Sequence, residues 1–142
     1  MFLYSPEQMY HVLRPCGGIV YFGSPSKVSE FDSDTVVNWM QRAGLKSPEV
    51  VNKNGVWVKA IRGKLAGAGS WTQIYSNPEN TACSDDMLVK GSLEVLWFGG
   101  PGPKGMVERH AEAVGPVSIN GRLFVQGEEI VSAYDAYNGT LL

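Results

Sequence analysis

The sequence predicts an α+β protein in which an α/β segment precedes an antiparallel all-β segment. Three observations support this fold class. Capping residues followed by apolar residues at helical spacing occur in the first half, and short β-rich runs separated by turn residues fill the second. The charge balance also changes at residues 67–69, from +3 over residues 1–69 to −5 over residues 70–142. We therefore expect one domain at 1–66, a linker at 67–69 and a second domain at 70–142.

The first half begins with a predicted helix over residues 6–13. Ser5 is its N-cap, Pro6 suits the first turn and Gln8 completes a capping box. Pro15 ends this helix, because proline disfavours helical backbone at the residue before it. The run at residues 19–22 is apolar without alternation, which predicts a strand buried on both faces.

A second helix and a hairpin follow. Asp32, Ser33 or Asp34 can cap the helix, and Gly44 stands where a left-handed residue would end it. The apolar stripe of this helix consists of Val36, Val37 and Met40. Residues 49–53 and 56–61 flank Asn54-Gly55, the dipeptide best suited to a tight hairpin turn. This order predicts an α/β layer with an antiparallel edge.

Short β-rich runs follow one another through the second half, which is typical of an antiparallel all-β unit. They lie at residues 70–75, 93–98, 115–119, 122–126, 130–135 and from 140 onward. Turn residues at 120–121, 127–129 and 137–139 separate the last four runs. The result is a predicted four-stranded meander, which needs neighbours to cover its apolar faces, as a propeller blade does.

Composition and charge exclude several classes of protein. The chain has 142 residues, of which 44% are hydrophobic and 18% charged, and its net charge is −2. This is not the composition of a disordered chain, and without a basic patch we expect no nucleic-acid partner. No apolar run reaches the roughly 18–20 residues of a membrane span, and no signal peptide is recognisable, so the sequence favours a cytoplasmic location.

Neither cysteine belongs to a Cys-x-x-Cys motif. Cys16 and Cys83 stand alone in the sequence. We therefore expect two reduced thiols, with neither a disulfide scaffold nor a thiolate metal cluster.

Residues 10–23 read Y-H-V-L-R-P-C-G-G-I-V-Y-F-G. They resemble the leader helix, the L-(R/K)-P-G-G motif and the following strand of class I S-adenosylmethionine-dependent methyltransferases. The helix ending at residues 43–45 and the hairpin after it resemble the last helix and final two strands of that fold, so the resemblance covers about residues 1–65. The sequence departs from the motif at Cys16, which is inserted before the paired glycines.

This first resemblance carries expectations about the cofactor. In that family S-adenosylmethionine lies on a glycine-rich loop after the first strand, and an acidic residue at the end of the second strand holds the ribose. The segment 1–65 contains neither feature, so it should not bind the cofactor alone. Arg14, Pro15, Gly17 and Gly18 are interpreted as scaffold residues of a turn.

The second half carries another resemblance. Residues 115–127 and 133–142 resemble one repeat of the quinoprotein-type (PQQ-like) β-propeller, with the patterns P-x-V-x-x-G-x-(L/V)-(F/Y)-V and A-x-D-A-x-(T/N)-G-x-x-L-W. In that repeat Gly139 permits a turn, Asp135 matches the D of the second pattern as a structural residue, and Ala133 contacts a docking tryptophan, which would follow Leu142. Residues 71–84 and 93–97 resemble the lead-in of such propellers, whose first strand commonly completes the last blade.

The loop at residues 99–114 is the most suggestive candidate site. If residues 115–119 form the innermost strand of a blade, then Arg109, His110 and Glu112 line the central funnel. The alternative is a solvated polar loop. True quinoprotein dehydrogenases also need a calcium ion and an Asp base spread over several blades. The chain contains no complete set, so we expect it to bind neither a metal nor a quinone.

Other motifs were interpreted as coincidental. Residues 100–105 fit G-x-G-x-x-G, but Pro101 and Pro103 lack the N–H groups that a phosphate loop needs. Asn138-Gly139-Thr140 fits a glycosylation sequon. His11 lies on a polar helix face and is interpreted as a surface residue.

The two resemblances together suggest part of a larger fusion protein that is catalytically incomplete alone. It would join the end of a methyltransferase-like domain, whose parent could use S-adenosylmethionine, to a propeller that serves as an interaction or ligand-binding scaffold. Its partners would be the remaining blades, the remaining methyltransferase core and a protein partner. The alternative, with PQQ the less favoured cofactor, is a quinoprotein-like oxidoreductase whose ligands lie in later blades.

Overall fold

The computed structural model describes residues 4–25, 31–100, 105–107 and 114–142. This part of the chain is mixed α+β and mostly β, which confirms the coarse fold class, and it contains two helices and two three-stranded antiparallel sheets. The chain divides into two compact units, Met1–Lys64 and Leu65–Leu142. The elements are α1 (Pro6–Val12), β1 (Ile19–Pro25), α2 (Ser33–Arg42), β2 (Glu49–Asn52), β3 (Gly55–Ile61), β4 (Val117–Ile119), β5 (Arg122–Gly127) and β6 (Ile130–Asp135).

Both helices of the first unit begin at predicted caps. In α1 the Ser5 Oγ accepts from the Gln8 backbone N–H at 3.2 Å, and Gln8 Oε1 accepts from the Ser5 N–H at 2.9 Å, which confirms the capping box. Of the three candidates for α2, Asp32 is the N-cap. The predicted left-handed residue after α2 is also confirmed, since Gly44 has φ +89°.

The first sheet has the order β1-β3-β2, and β3 runs antiparallel to both neighbours. Strands β1 and β2 are therefore parallel to each other and are connected through α2. One face of the sheet packs against α2 and forms the core of the unit. The buried core residues are Val36, Trp39, Met40, Leu45, Val58 and Ala60. Burial of these side chains is the main stabilising contribution in this unit.

The prediction that residues 19–22 form a strand buried on both faces is wrong. Strand β1 is an edge strand, and Ile19 and Tyr21 are 57% and 50% exposed. They lie with Ile61 on the face of the sheet opposite α2, because side chains alternate between faces along a strand. An apolar run without alternation therefore occurs in a half-exposed edge strand as well as in a strand that is buried on both faces.

The two predicted Asn-Gly hairpins differ in detail. Asn120 and Gly121, with φ of 51° and 72°, form the predicted two-residue turn between β4 and β5. At Asn54 and Gly55 the backbone also has positive φ, but the nearest cross-strand pair is Asn52 with Val56. That loop therefore has three residues rather than two.

The second sheet has the order β4-β5-β6, so the predicted meander has three strands rather than four. The residues expected to form the fourth strand return along β6, where Leu141 makes a single bridge with Tyr134. The Leu142 N–H donates to the Ala133 carbonyl at 2.9 Å. Residues 141–142 thus contact this edge through isolated backbone pairs rather than as a strand.

The prediction of strands at residues 70–75 and 93–98 is wrong. Only Trp71 and Gln73 of the first run form isolated bridges, and Trp71 exchanges two backbone hydrogen bonds with Ser118, of 2.8 and 2.6 Å. Beyond Trp71 the chain folds back on itself: Ser76 accepts from the Thr72 N–H, and its hydroxyl donates to the Cys83 carbonyl. Local hydrogen bonds of this kind compete with a strand ladder.

The run at 93–98 forms no ladder with the described residues. Leu93, Val95 and Leu96 are 79%, 83% and 72% exposed. An apolar run alone does not make a strand, since the backbone also needs a sheet edge beside it.

Within the described residues, neither helix is long and apolar enough to cross a membrane.

Candidate functional site

The turn after β6, at residues 135–140, belongs to a segment that the sequence patterns singled out, and backbone hydrogen bonds organise it. Asp135 is 2% exposed, and its Oδ1 accepts from the backbone N–H groups of Tyr137 at 2.9 Å and Asn138 at 3.2 Å. The Asp135 carbonyl accepts from the Gly139 N–H at 2.9 Å, and its N–H donates to Thr140. The buried aspartate thus organises the turn through backbone contacts.

Trp97 docks on this turn. Its indole Nε1 donates to the Ala136 carbonyl at 2.9 Å, and its ring stacks on Tyr134 with the centroids 6.5 Å apart. A Cβ atom built on Gly139 would lie 2.5 Å from Trp97 Cε3, and Gly139 has φ +73°. The turn therefore requires glycine at position 139 for two reasons: the backbone there has positive φ, and the indole occupies the space that a side chain would need.

The sequence patterns missed Trp97 as a docking residue. They placed the docking tryptophan after Leu142, whereas the structure has Trp97 of the chain itself against Gly139. A signal was available, because Leu96-Trp97 matches the L-W that ends the propeller pattern. Ala133, the other predicted contact of such a tryptophan, takes part in the backbone bond with Leu142.

The turn at residues 14–18 connects α1 to β1. Cys16 and Gly17 have φ of 57° and 124°. Their N–H groups donate to the carbonyls of Gly63 at 3.0 Å and Arg62 at 2.9 Å. The Gly18 N–H donates to the Arg14 carbonyl at 2.9 Å, and the Gly18 carbonyl accepts from the Arg62 N–H at 2.7 Å. Cys16 is therefore accommodated by left-handed backbone, and the pairing with the end of β3 continues through the turn.

Arg62 is a second residue that the sequence patterns missed. It is 6% exposed, and its Nη1 donates to the carbonyls of Tyr10, at 2.9 Å, and Leu13. Its guanidinium lies 4.0 Å from the centroid of the Tyr10 ring. Arg62 thus satisfies carbonyls at the end of α1 and stacks on the same helix. The role is structural, and it supports the turn that contains Arg14 and Pro15.

Gly18 offers a sharp test of this turn. A Cβ atom at Gly18 would lie 2.4 Å from the Arg14 carbonyl oxygen, whereas one at Gly63 would meet nothing within 4 Å. We expect Gly18→Ala to lower the free energy of unfolding of the first unit by about 1–3 kcal/mol, because backbone must move. Gly63→Ala should change it by less than about 0.5 kcal/mol. The denaturant midpoints of the two variants can be measured by hydrogen exchange in residues 10–22. Equal midpoints would contradict the close approach of Gly18 to the Arg14 carbonyl.

Asp86 connects two stretches of the second unit. Its carboxylate accepts from the N–H groups of Gly69, Leu88 and Val89, each at 2.8 Å. These backbone bonds, with that of Gly69 the largest contribution, lower the pKa of Asp86 from its ordinary value of 3.8. Hydrogen bonds to the charged form favour ionisation.

A pH dependence follows from this shift. A lowered pKa stabilises the loop above the unfolded-state pKa, and this contribution is lost as the pH falls through the folded-state pKa. We expect the hydrogen-exchange protection of the Gly69, Leu88 and Val89 amides to be lost only as the pH falls below the ordinary pKa of an aspartate carboxyl. Asp86→Asn should remove this acid transition, while Glu94→Gln, a change at an exposed position, should retain it. If the acid transition persisted in Asp86→Asn, the titration of another group would be its cause.

The remaining candidate residues do not form a described site. Arg109, His110 and Glu112 lie outside the described residues, as does most of the glycine-proline run at 100–105. Among the residues that the structure places, no group of three or more His, Cys, Asp or Glu side chains could hold a metal ion.

One shallow pocket lies beside the first sheet. Its volume is about 190 Å³, which is below the roughly 300–1,000 Å³ of typical ligand pockets. Its lining consists of Lys46, Ser47, Glu49, Lys59, Ala60 and Ile61. The turn at residues 135–140, with Trp97 packed on it, is therefore the better candidate site. Its contacts are packing contacts and hydrogen bonds to the backbone, which suit docking rather than catalysis.

No protein-family model, no curated protein and no solved structure matches this chain.

Proposed function

We propose that this chain forms part of a larger protein, in which the end of a class I methyltransferase-like domain is joined to the opening blade of a quinoprotein-type β-propeller. On this proposal the propeller is an interaction or ligand-binding scaffold, and the chain has no catalytic activity by itself. The observation that carries the proposal is the docking of Trp97 on the turn at residues 135–140. A propeller needs such a contact, because each blade must be joined to the next.

Surface apolarity supports the scaffold part of the proposal. The second unit exposes apolar residues close together in sequence, since Leu93, Val95 and Leu96 are each more than 70% exposed. Val131 in β6 and Leu141 after it are also 69% and 64% exposed. Several strongly exposed apolar side chains in one small unit are consistent with a surface that another protein segment covers.

The first unit supports the methyltransferase-like part less specifically. Its helix, strand, helix and hairpin follow the order of the predicted segment, and α2 connects two parallel strands. The face of the sheet opposite α2 leaves Ile19, Tyr21 and Ile61 about half exposed. This half-covered sheet fits a unit whose second layer belongs to further chain.

The decisive experiment is to determine the coding sequence on both sides of this chain and to express the extended protein. We expect a glycine-rich loop and an acidic ribose ligand upstream, and repeats of the docking pattern downstream. Calcium ligands and an Asp base in the later repeats would replace the scaffold with a quinoprotein-like oxidoreductase. Stop codons directly outside the chain, together with a monodisperse monomer that melts cooperatively, would overturn the proposal.

Isothermal titration of the purified chain with S-adenosylmethionine tests whether this chain alone can bind the cofactor of the family. We expect no saturable binding, because residues 1–65 contain neither the glycine-rich loop nor the acidic ribose ligand of the family. S-Adenosylhomocysteine is a matched second ligand, since it shares the adenosine moiety. Saturable micromolar binding of either would show that the cofactor site lies within this chain.

A further inference from the structure

Two turns of the second unit contain the same dipeptide in different surroundings. Asn120-Gly121 connects β4 to β5, and Asn138-Gly139 follows β6. Both asparagines are exposed. The comparison matters because asparagine before glycine is the sequence most prone to spontaneous loss of its side-chain amide, since glycine has no side chain to hinder the attack.

In this reaction the backbone nitrogen of the following residue attacks the asparagine Cγ. A bond forms between that nitrogen and Cγ, the bond from Cγ to the side-chain nitrogen breaks, and ammonia leaves with the proton of the backbone N–H. Water then opens the resulting succinimide to aspartate or isoaspartate. The reaction thus needs a free backbone N–H and a side chain that can rotate towards it.

The turn at Asn138 restrains both groups. The N–H of Gly139, whose nitrogen would attack, donates to the Asp135 carbonyl at 2.9 Å. The Asn138 Oδ1 accepts from the Thr140 N–H at 3.0 Å, which holds the side-chain amide in place. Attack would require both hydrogen bonds to break.

The turn at Asn120 has neither restraint. The Gly121 carbonyl accepts from the Ala136 N–H at 2.9 Å, but among the described residues neither the Gly121 N–H nor the Asn120 side chain makes a hydrogen bond. We infer that Asn120 is a deamidation site of this protein and that the hydrogen-bonded turn at residues 135–140 protects Asn138 from the same reaction.

The change would affect the second sheet. Isoaspartate adds one methylene group to the backbone and replaces a neutral side chain with a carboxylate. A two-residue turn depends on its backbone length, so the pairing of Ile119 with Arg122 would be disturbed. Deamidation at Asn120 should therefore loosen the hairpin of β4 and β5.

Incubation of the full chain at mildly alkaline pH, followed by peptide mass spectrometry, tests the inference. We expect Asn120 to react about 10- to 30-fold faster than Asn138, since two hydrogen bonds must break at Asn138. The same incubation in concentrated urea should bring the two rates together. Asn120→Gln, in which the attack would need a larger ring, should remove the product from its peptide while Asn138 stays unchanged.

Three outcomes would contradict the inference. Similar rates in the folded chain, or faster reaction at Asn138, would overturn the inference. A rate ratio that persisted in urea would also overturn it, because local sequence rather than the folded turn would then set the difference.

Discussion

Replacing Gly139 by valine should lower the free energy of unfolding of the second unit by about 2–6 kcal/mol. Two costs combine at this position. A β-branched residue at φ +73° occupies a sparsely populated backbone region, which costs about 1–3 kcal/mol. Its Cβ would also lie 2.5 Å from Trp97, and displacement of a packed indole typically costs about 1–3 kcal/mol more.

The neighbouring change Thr140→Val is the matched control. Thr140 is exposed and lies outside the positive-φ residues of the turn, so the same side chain should cost less than about 0.5 kcal/mol there. Because the chain has two units, the measurement should report on the second alone. Hydrogen exchange of peptides from residues 117–142 across a urea series does so. Equal midpoints for the two variants would remove the turn assignment and the best local support for a propeller repeat.

The local features of the chain were predictable because short-range chemistry decides them. The capping box at Ser5 and Gln8 and the left-handed Gly44 depend only on residues within one or two turns of helix. The turn at Asn120-Gly121 likewise follows from two residues that tolerate positive φ. These predictions needed no knowledge of which elements pack together.

Burial was not predictable in the same way. The exposure of Ile19 and Tyr21 follows from the position of β1 at the edge of its sheet, which the run of apolar residues does not encode. Residues 93–98 have strand-like composition, yet whether they pair depends on a sheet edge elsewhere. In both cases tertiary context overrides local propensity.

The contacts of Arg62 and Trp97 were missed because they are distant in sequence. Arg62 lies 49 to 52 positions from the carbonyls that it satisfies, and Trp97 lies 39 positions from Ala136. A single arginine or tryptophan has no periodicity in the sequence that would reveal its partner.

Removal of the docked indole is the second large effect that we expect. Trp97→Ala should lower the free energy of unfolding of the second unit by about 2–4 kcal/mol, below the upper end for a fully buried tryptophan because Trp97 is half-buried. The substitution leaves Tyr134 without its stacking partner and the Ala136 carbonyl without its donor. Trp97→Phe, which retains a ring but has no N–H, should cost about 1 kcal/mol from the lost hydrogen bond.

Phe98→Ala is the control for aromatic content, since Phe98 is the next residue and is 97% exposed. It should change the midpoint by less than about 0.5 kcal/mol, measured by the same hydrogen-exchange series. A double-mutant cycle with Gly139→Ala then separates docking from general destabilisation. If the indole occupies the space above Gly139, the cost of Gly139→Ala should be smaller in Trp97→Ala, because only the backbone strain remains. Additive costs would show that Trp97 and Gly139 do not interact, and the docking contact that supports the propeller proposal would then be lost.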